Sequence, residues 1–178
     1  TNIVFMGMGE PLLNYDNLIK SIHILRDRNG LNFPTDGITV STVGPLNQLK
    51  KLREEHLKIQ LTLSLHATDQ RTRDAVIPHM KGQGVNEVVE SVLSYAERHN
   101  RKITIAYLLI PGFNDRNCDV RQLGRWFRGK NVLINVLQYN ETKCGKIQRP
   151  NKQQLVAFKA RLEEAGLEVK LRESRGNN

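Results

Sequence analysis

Residues 2–11 read Asn2-Ile3-Val4-Phe5-Met6-Gly7-Met8-Gly9-Glu10-Pro11, an apolar run that ends in two glycines, one carboxylate and a proline. A short continuous apolar run closed by such residues reads as a strand. Glycine has no Cβ, so the backbone at Gly7 and Gly9 can turn tightly and a ligand can come close to it. Proline removes a backbone donor and stops the strand. A carboxylate held at Glu10 is placed to grip a cation such as a ligand ammonium. Alone the stretch is ordinary. Its weight comes from five later apolar runs that also deliver polar residues where they end.

Those runs are Ile38–Val43, Ile59–Leu65, Lys102–Ile110, Asn131–Tyr139 and Leu167–Arg172. Val, Ile, Thr and Leu dominate them, and stretches such as Ile105–Ile110 are nearly continuous, which suits strands of a parallel sheet covered on both faces. Helical patterns lie between. Asn14-Tyr15-Asp16 offers N-caps to Leu18, Ile19, Ile22 and Leu25, with Gly30 as the stop. Pro45 suits the first position of a helix carrying Leu46, Leu49 and Leu52. Asn86 is read as the cap of a helix bearing Val88, Val89, Val92, Leu93 and Ala96. Asp115 precedes Val120, Leu123, Trp126 and Phe127, with Gly129 as the stop and the two aromatics read as core. Asn151 opens a last helix through Leu155, Phe158 and Leu162 to Gly166. Alternating strand and helix with right-handed crossovers gives an α/β fold, either an open doubly wound sheet or part of a barrel. Six strands do not complete an eight-stranded barrel. In both architectures ligands sit at the carboxyl ends of the strands.

The chain has 178 residues, enough for one domain with a substantial core, and its 39% hydrophobic and 25% charged residues fit a globular protein. No apolar run approaches the ~20 residues of a membrane helix. No signal peptide is visible, and residue 1 is read as already within a strand, which suggests a piece of something longer. The net charge of +9, from 27 Lys and Arg against 18 Asp and Glu, leaves two readings open: a solvated basic surface, or a polyanionic partner with RNA or DNA first. Aromatics at 6% give few stacking platforms for single-stranded bases. Cys118 and Cys144 are not spaced as a metal clip and read as ordinary side chains in a reducing cytosol.

The strand ends supply Gly9 and Glu10, then Ser41, Thr42 and Gly44, then Ser64 and His66, then Pro111 to Asp115, then Gln138 to Asn140, then Arg172, Ser174 and Arg175. Any one of these can be a helix cap or a turn residue. Together they are hydroxyls, an amide, an imidazole and a carboxylate. That set is rich in hydrogen bonding and poor in nucleophile–base pairs, and it suits a polar cofactor with an amino-acid or sugar part. There is no phosphate-binding Gly-Lys-Ser/Thr loop. The Gly7-Met8-Gly9-Glu10-Pro11 turn lacks the third glycine of a dinucleotide fingerprint, and no serine sits in a nucleophile elbow. His66 and His79 are too isolated to form a metal site.

Phe5 to Asn14, Ser41-Thr42-Val43-Gly44, Leu63-Ser64-Leu65-His66-Ala67, Arg73 with Ile77-Pro78, Tyr107 to Asp115, Tyr139-Asn140, and Arg172 with Ser174-Arg175-Gly176 follow in order. On these residues the chain resembles, over nearly its whole length, the catalytic core of the radical-SAM RNA adenine methyltransferases. These methylate carbon 2 of an adenine in 23S ribosomal RNA and, in bacteria, in some transfer RNAs. A related branch methylates carbon 8 and confers antibiotic resistance. The resemblance implies a partial (β/α) barrel of about six mostly parallel strands with helices outside, and a single core-domain fragment over residues 1–178. A cytoplasmic monomer that acts on RNA goes with it.

For the cofactor, S-adenosylmethionine, the resemblance implies that Gly9 and Glu10 contact the methionine part, with Glu10 paired to the α-ammonium. It implies that Ser41 is a further binding residue, that Ser64, Leu65 and His66 line the cofactor, and that Asn140 is the last binding position. The family's 4Fe-4S cluster is held by a C-x-x-x-C-x-x-C loop upstream of the Gly-Glu segment. Neither Cys118 nor Cys144 can replace that loop. A further family cysteine, which receives the methyl group after an Arg-Gly-Asp-Ile segment, is also missing. No catalytic residue and no metal ligand is therefore expected within these 178 residues, and the segment alone is expected to be inactive. In the intact enzyme the resemblance implies a deoxyadenosyl radical that abstracts hydrogen from a methylated cysteine, whose carbon radical adds to the adenine. Gln138 and Glu141 stand where the family usually has prolines, and His79-Met80-Lys81-Gly82 replaces a more usual Asn-Lys-Lys-Tyr. Candidates for RNA phosphate contact are Arg121, Arg125, Arg128, Lys130, Lys143, Lys146, Arg149 and Lys152. The rival readings are a non-catalytic RNA-binding paralogue that lacks the cluster, and a radical-SAM enzyme of a small substrate.

Overall fold

A computed structural model describes residues 2–139 and 148–172. All six apolar runs are strands: β1 (Ile3–Phe5), β2 (Ile38–Thr42), β3 (Gln60–Ser64), β4 (Ile103–Leu109), β5 (Val132–Gln138) and β6 (Glu168–Arg172). They form one sheet in chain order, β1-β2-β3-β4-β5-β6, with parallel pairing of β1 to β2, β2 to β3 and β5 to β6. Between them lie α1 (Tyr15–Arg26), α2 (Leu46–Glu54), α3 (Gln70–Val76), α4 (Val85–His99), α5 (Asn117–Phe127) and α6 (Lys152–Glu164). The expected α/β alternation is found, with helix α3 added. No helix among the described residues is long and apolar enough to cross a membrane.

The helix starts differ in detail from the caps read in sequence. Asn151 caps α6 as expected, accepting at its side chain from Gln154 N–H at 2.8 Å. Pro45 is the residue before α2, not its first turn. Asn86 is the second residue of α4, whose start is held by Gln70: its Oε1 accepts from Val85 N–H at 2.9 Å. Asp115 does not cap α5 either. Its carboxylate accepts from Gly112 N–H at 2.8 Å, and Arg116 is the capping residue, with its own N–H donated to Asp119 Oδ2 at 2.9 Å.

The chain forms two compact units, Thr1–Ser64 with Asn86–Ile103, and Leu65–Val85 with Thr104–Asn178. In the first, β3 alternates between half-buried and buried residues, whereas β2 is buried at every position but Thr39. Ile38, Val40, Leu61 and Leu63 are buried on one face. That face meets the helices, since Leu63, Leu49 of α2 and Val88 of α4 all crowd the same point beside Gly44. Tyr95 of α4 fixes the approach to β3 by sharing its hydroxyl between the carbonyls of Leu57 and Ile59 at 3.1 and 3.0 Å. The opposite face carries Thr39, Ser41, Gln60, Thr62 and Ser64, with Thr39 in register with Gln60 and Ser41 with Thr62. The coverage of both faces expected from the nearly continuous run Ile105–Ile110 is found in β4, where Ile105, Ala106 and Tyr107 are all buried.

In the second unit the core gathers Tyr107, Leu123, Phe127, Ile134, Val136, Phe158 and Leu162. Tyr107 stacks on Phe158 with ring centroids 5.7 Å apart. Phe127 is core, as read, and Trp126 is half-buried. Asp119 is buried and well supplied with donors: Thr68 Oγ1, and Arg116 Nε and Nη2 at 2.8 and 2.9 Å. A buried carboxylate without such donors would be costly.

Candidate cofactor-binding residues

In the first unit, β1 ends in a turn that only glycine adopts easily: φ is +144° at Gly7 and +105° at Gly9. A cavity of about 290 Å³ opens there, lined by Met6, Gly7, Gly9, Glu10, Asn14 and Asn17 among others. A Cβ at Gly9 would meet nothing within 4 Å, so its backbone is open to an approaching group.

Glu10 is bound by the protein itself. Its Oε1 accepts from Leu12 N–H at 2.9 Å and from Thr42 Oγ1 at 2.7 Å, and its Oε2 accepts from Val43 N–H at 2.7 Å. Thr42 Oγ1 in turn accepts from Gly44 N–H at 2.9 Å. A carboxylate offers about four acceptor positions, so most of this one ties the glycine turn to the end of β2. The sequence reading gave Glu10 to a ligand ammonium and did not foresee this anchoring role. Ser41 is 8% exposed and lies on the sheet face opposite Thr42, on the same face as Ser64.

In the second unit, the chain leaving β3 bonds to β4: Leu65 N–H donates to Ala106 O at 3.1 Å. His66 has φ +56°, and Ala67 N–H donates across it to Leu65 O at 2.8 Å. A tight turn with positive φ at a residue other than glycine is a rare, strained form that the surroundings must impose. They do so here. His66 Nδ1 accepts from Leu108 N–H at 3.1 Å, which leaves the ring proton on Nε2 as a donor. Asn114 is 0% exposed and donates through Nδ2 to His66 O at 2.8 Å and to Leu108 O at 2.7 Å. Its Oδ1 accepts from Ile110 N–H at 2.8 Å, and its carbonyl accepts from Tyr107 Oη at 2.7 Å. Arg73, also buried, donates through Nη1 to Leu65 O at 2.8 Å.

Burial first, and then the Arg73 cation, lower the His66 pKa to about 4 from an ordinary 6.5. The imidazole is therefore neutral at pH 7. Because the folded pKa lies below the unfolded one, the unfolded chain binds the proton first as pH falls. Stability is lost between pH 6.5 and about 4, by roughly 2–3 kcal/mol. Urea unfolding at pH 7.5 and pH 4.5 should show this loss, and a His66→Gln variant should show a smaller one.

Of the expected site residues, the structure describes Gly9, Glu10, Ser41, Ser64, Leu65 and His66, and Asn140 lies outside the described residues. Sequence reasoning placed Thr42 and Asn114 among the polar strand ends without foreseeing their bonds to Glu10 and His66, and assigned no role to Thr39, Gln60 or Thr62. For the last three a period of two was visible, although their shared face needed the strand register. Among the described residues no group of three or more His, Cys, Asp or Glu could hold a metal, and Cys118 is an exposed free thiol. These residues do not supply the ligands of an iron–sulfur cluster.

The chain is 47% identical over 176 residues to a probable RNA methyltransferase of Rhodopseudomonas palustris (strain BisB5), covering 99% of this chain and 49% of that relative. It is 40% identical over 177 residues to a probable dual-specificity RNA methyltransferase RlmN of Dictyoglomus turgidum, covering 99% of this chain and 51% of the relative. It thus spans about half the length of these curated relatives. The crystal structure of a radical SAM methyltransferase from Sphaerobacter thermophilus superposes with a TM-score of 0.92 at 33% identity, over 99% of this chain and 52% of that one. The Radical SAM superfamily model matches residues 1–123. With the open, chain-ordered sheet and the Gly-Glu turn at the end of its first strand, the match shows that this chain belongs to the Radical SAM superfamily.

Proposed function

We propose that the intact protein is a cytoplasmic, monomeric RNA methyltransferase that uses S-adenosylmethionine to methylate carbon 2 of an adenine in 23S ribosomal RNA, and in transfer RNA. Gly9, Glu10, Ser41, Ser64, Leu65, His66 and Asn140 are assigned to the cofactor. The observation that carries this reading is the glycine turn at the end of β1, held open over a cavity by the Glu10 carboxylate. The names of the relatives support the RNA substrate.

The residues fit the methionine and nucleoside parts of such a ligand. Glu10 retains acceptor capacity for an ammonium while it fixes the turn. The Ser41 and Ser64 hydroxyls make no side-chain hydrogen bond among the described residues, so both remain available to a ligand. His66 offers one defined donor, Nε2–H, on a ring held by its γ-turn. When bound, S-adenosylmethionine supplies the methyl group and the source of the radical. Arg121 and Arg125, exposed on successive turns of α5, are assigned to RNA phosphates; Arg128 is less suited because its Nε donates to Ala165 O at 2.8 Å. Arg149 is less suited because it donates to Gln138 Oε1 at 2.9 Å, and Lys143 and Lys146 lie outside the described residues. No observation favours a non-catalytic RNA-binding protein. The test is transfer of labelled methyl from S-adenosylmethionine to adenine in RNA, with the intact protein expected to be active and the 178-residue chain alone inactive.

A further inference from the structure

The loop at the carboxyl end of β4, Pro111–Asp115, is fixed by its own backbone. Phe113 N–H and Asn114 N–H both donate to Ile110 O, at 3.1 and 3.2 Å. Gly112 has φ +73°, and its N–H donates to Asp115 Oδ1 at 2.8 Å. The Asn114 side chain is buried and bonded to His66 O, Leu108 O and Ile110 N–H, and its carbonyl accepts from Tyr107 Oη. These bonds lie on both sides of Phe113, so its ring cannot turn inward without breaking them. The ring is 39% exposed, and Phe113 is the one exposed residue among the described Phe, Tyr and Trp. An isolated apolar side chain at a surface is common and means little by itself. This one stands at the end of the strands where an α/β barrel takes its ligands, next to the asparagine that holds the His66 turn.

Helix α5 begins at Asn117, directly after this loop and in the same unit. It buries Asp119, Val120, Leu123 and Phe127. Its other side exposes Asn117, Arg121 and Arg125, each four residues from the last, which puts the two arginines about 6 Å apart along the axis. An aromatic ring at the strand end is thus followed by cations on the helix that leaves it. Single-stranded nucleic acid is held by this combination: cations track the phosphates, and a ring takes the face of a base. A phenyl ring has no hydrogen-bonding group, so it accepts the face of any base and does not read an edge. One ring is small for a protein partner, which needs roughly 800 Å² a side, and it matches a single base.

We infer that Phe113 is a stacking platform for one base of the RNA, with the phosphates of the same strand running along Arg121 and Arg125 of α5. The inference rests on the RNA methyltransferase reading above and adds a base contact to it. Its test measures, by fluorescence anisotropy without S-adenosylmethionine, binding of the intact protein to a labelled single-stranded oligoadenylate and to an abasic ribose-phosphate strand of the same length. The wild type is expected to prefer the strand with bases, and Phe113→Ala to reduce that preference by roughly tenfold, the worth of one stacked base. Phe113→Trp is expected to keep the preference. Phe113→Leu, which keeps apolar bulk without a ring, is expected to lose it, a result that a merely structural role would not give. Arg121→Gln/Arg125→Gln is expected to weaken both strands alike and to flatten the slope of log affinity against log salt by about 1.4, at ~0.7 per phosphate contact. Equilibrium dialysis of labelled S-adenosylmethionine is expected to give the same affinity for wild type and Phe113→Ala. A wild-type preference in Phe113→Ala, or an unchanged salt slope in the arginine variant, overturns the inference and leaves the methyltransferase reading standing. Weaker S-adenosylmethionine binding by Phe113→Ala gives the ring to the cofactor and overturns it too. A wild type that binds neither strand and transfers no methyl to RNA overturns both.

Discussion

Asn114→Ala is expected to lower the stability of the protein by about 3–5 kcal/mol, the largest effect of any single side-chain truncation proposed here. The side chain is 0% exposed and makes three hydrogen bonds to backbone: two donated to His66 O and Leu108 O, one accepted from Ile110 N–H. Alanine leaves that N–H and those carbonyls buried without their partner, which costs more than the bonds themselves contribute. Asn114→Asp keeps the shape but replaces the donor with an acceptor aimed at two carbonyls, and is expected to be no better. The functional consequence follows from the strained turn at His66. With its carbonyl released, the imidazole loses its fixed orientation, and cofactor binding should weaken along with stability. Urea unfolding midpoints at constant slope measure the first effect. A loss below about 1 kcal/mol would show that the turn is held by something else.

Gly44→Ala is expected to cost about 2–4 kcal/mol, from two separable sources. Gly44 has φ +88°, where an L side chain is strained in any surroundings. A Cβ there would also lie 2.6 Å from Val88 Cγ1 and 3.2 Å from Leu63 Cδ1, well inside contact distance, and a valine methyl on a packed helix cannot swing away. The double variant Gly44→Ala/Val88→Ala removes the main clash and retains the backbone strain. A double-mutant cycle should therefore show favourable coupling of about 1 kcal/mol or more between the two sites. Strict additivity would mean that the collision is relieved by a small backbone shift. Gly44 also donates to Thr42 Oγ1, which donates to Glu10, so the substitution reaches the candidate site through two hydrogen bonds.

The strands were legible because each is a short apolar run between turn residues; only some of their ends were overrun, by one residue in most cases and by three after Phe5. Helix α3 was not legible. Its residues Gln70-Arg71-Thr72-Arg73-Asp74 carry no apolar stripe, and the helix is held by a cap at Asp69 and by the burial of Thr72 and Arg73. The rim residues could be read from their place at strand ends, but their partners could not. Glu10 and Thr42 are 32 positions apart and meet only through strand pairing. The positive φ of His66 has only a weak sequence signal, since histidine adopts it more often than most residues but far less readily than glycine. The polar alternation in Ile38–Thr42 and Gln60–Ser64 was visible in the letters, and its meaning depended on register. The role of Asn140 rests on resemblance, because it lies outside the described residues.

Methyl transfer to RNA, with S-adenosylmethionine held at the strand ends, is the central claim of the proposed function. The most direct measurement incubates the intact protein, under anaerobic reducing conditions, with RNA and methyl-labelled S-adenosylmethionine, then digests the RNA to nucleosides and identifies the labelled one by mass spectrometry. The predicted result is label in methyladenosine with the methyl on carbon 2, and none when the 178-residue chain is used alone. Absence of label from RNA with the cluster-loaded intact protein, or label transferred by the 178 residues alone, would contradict it.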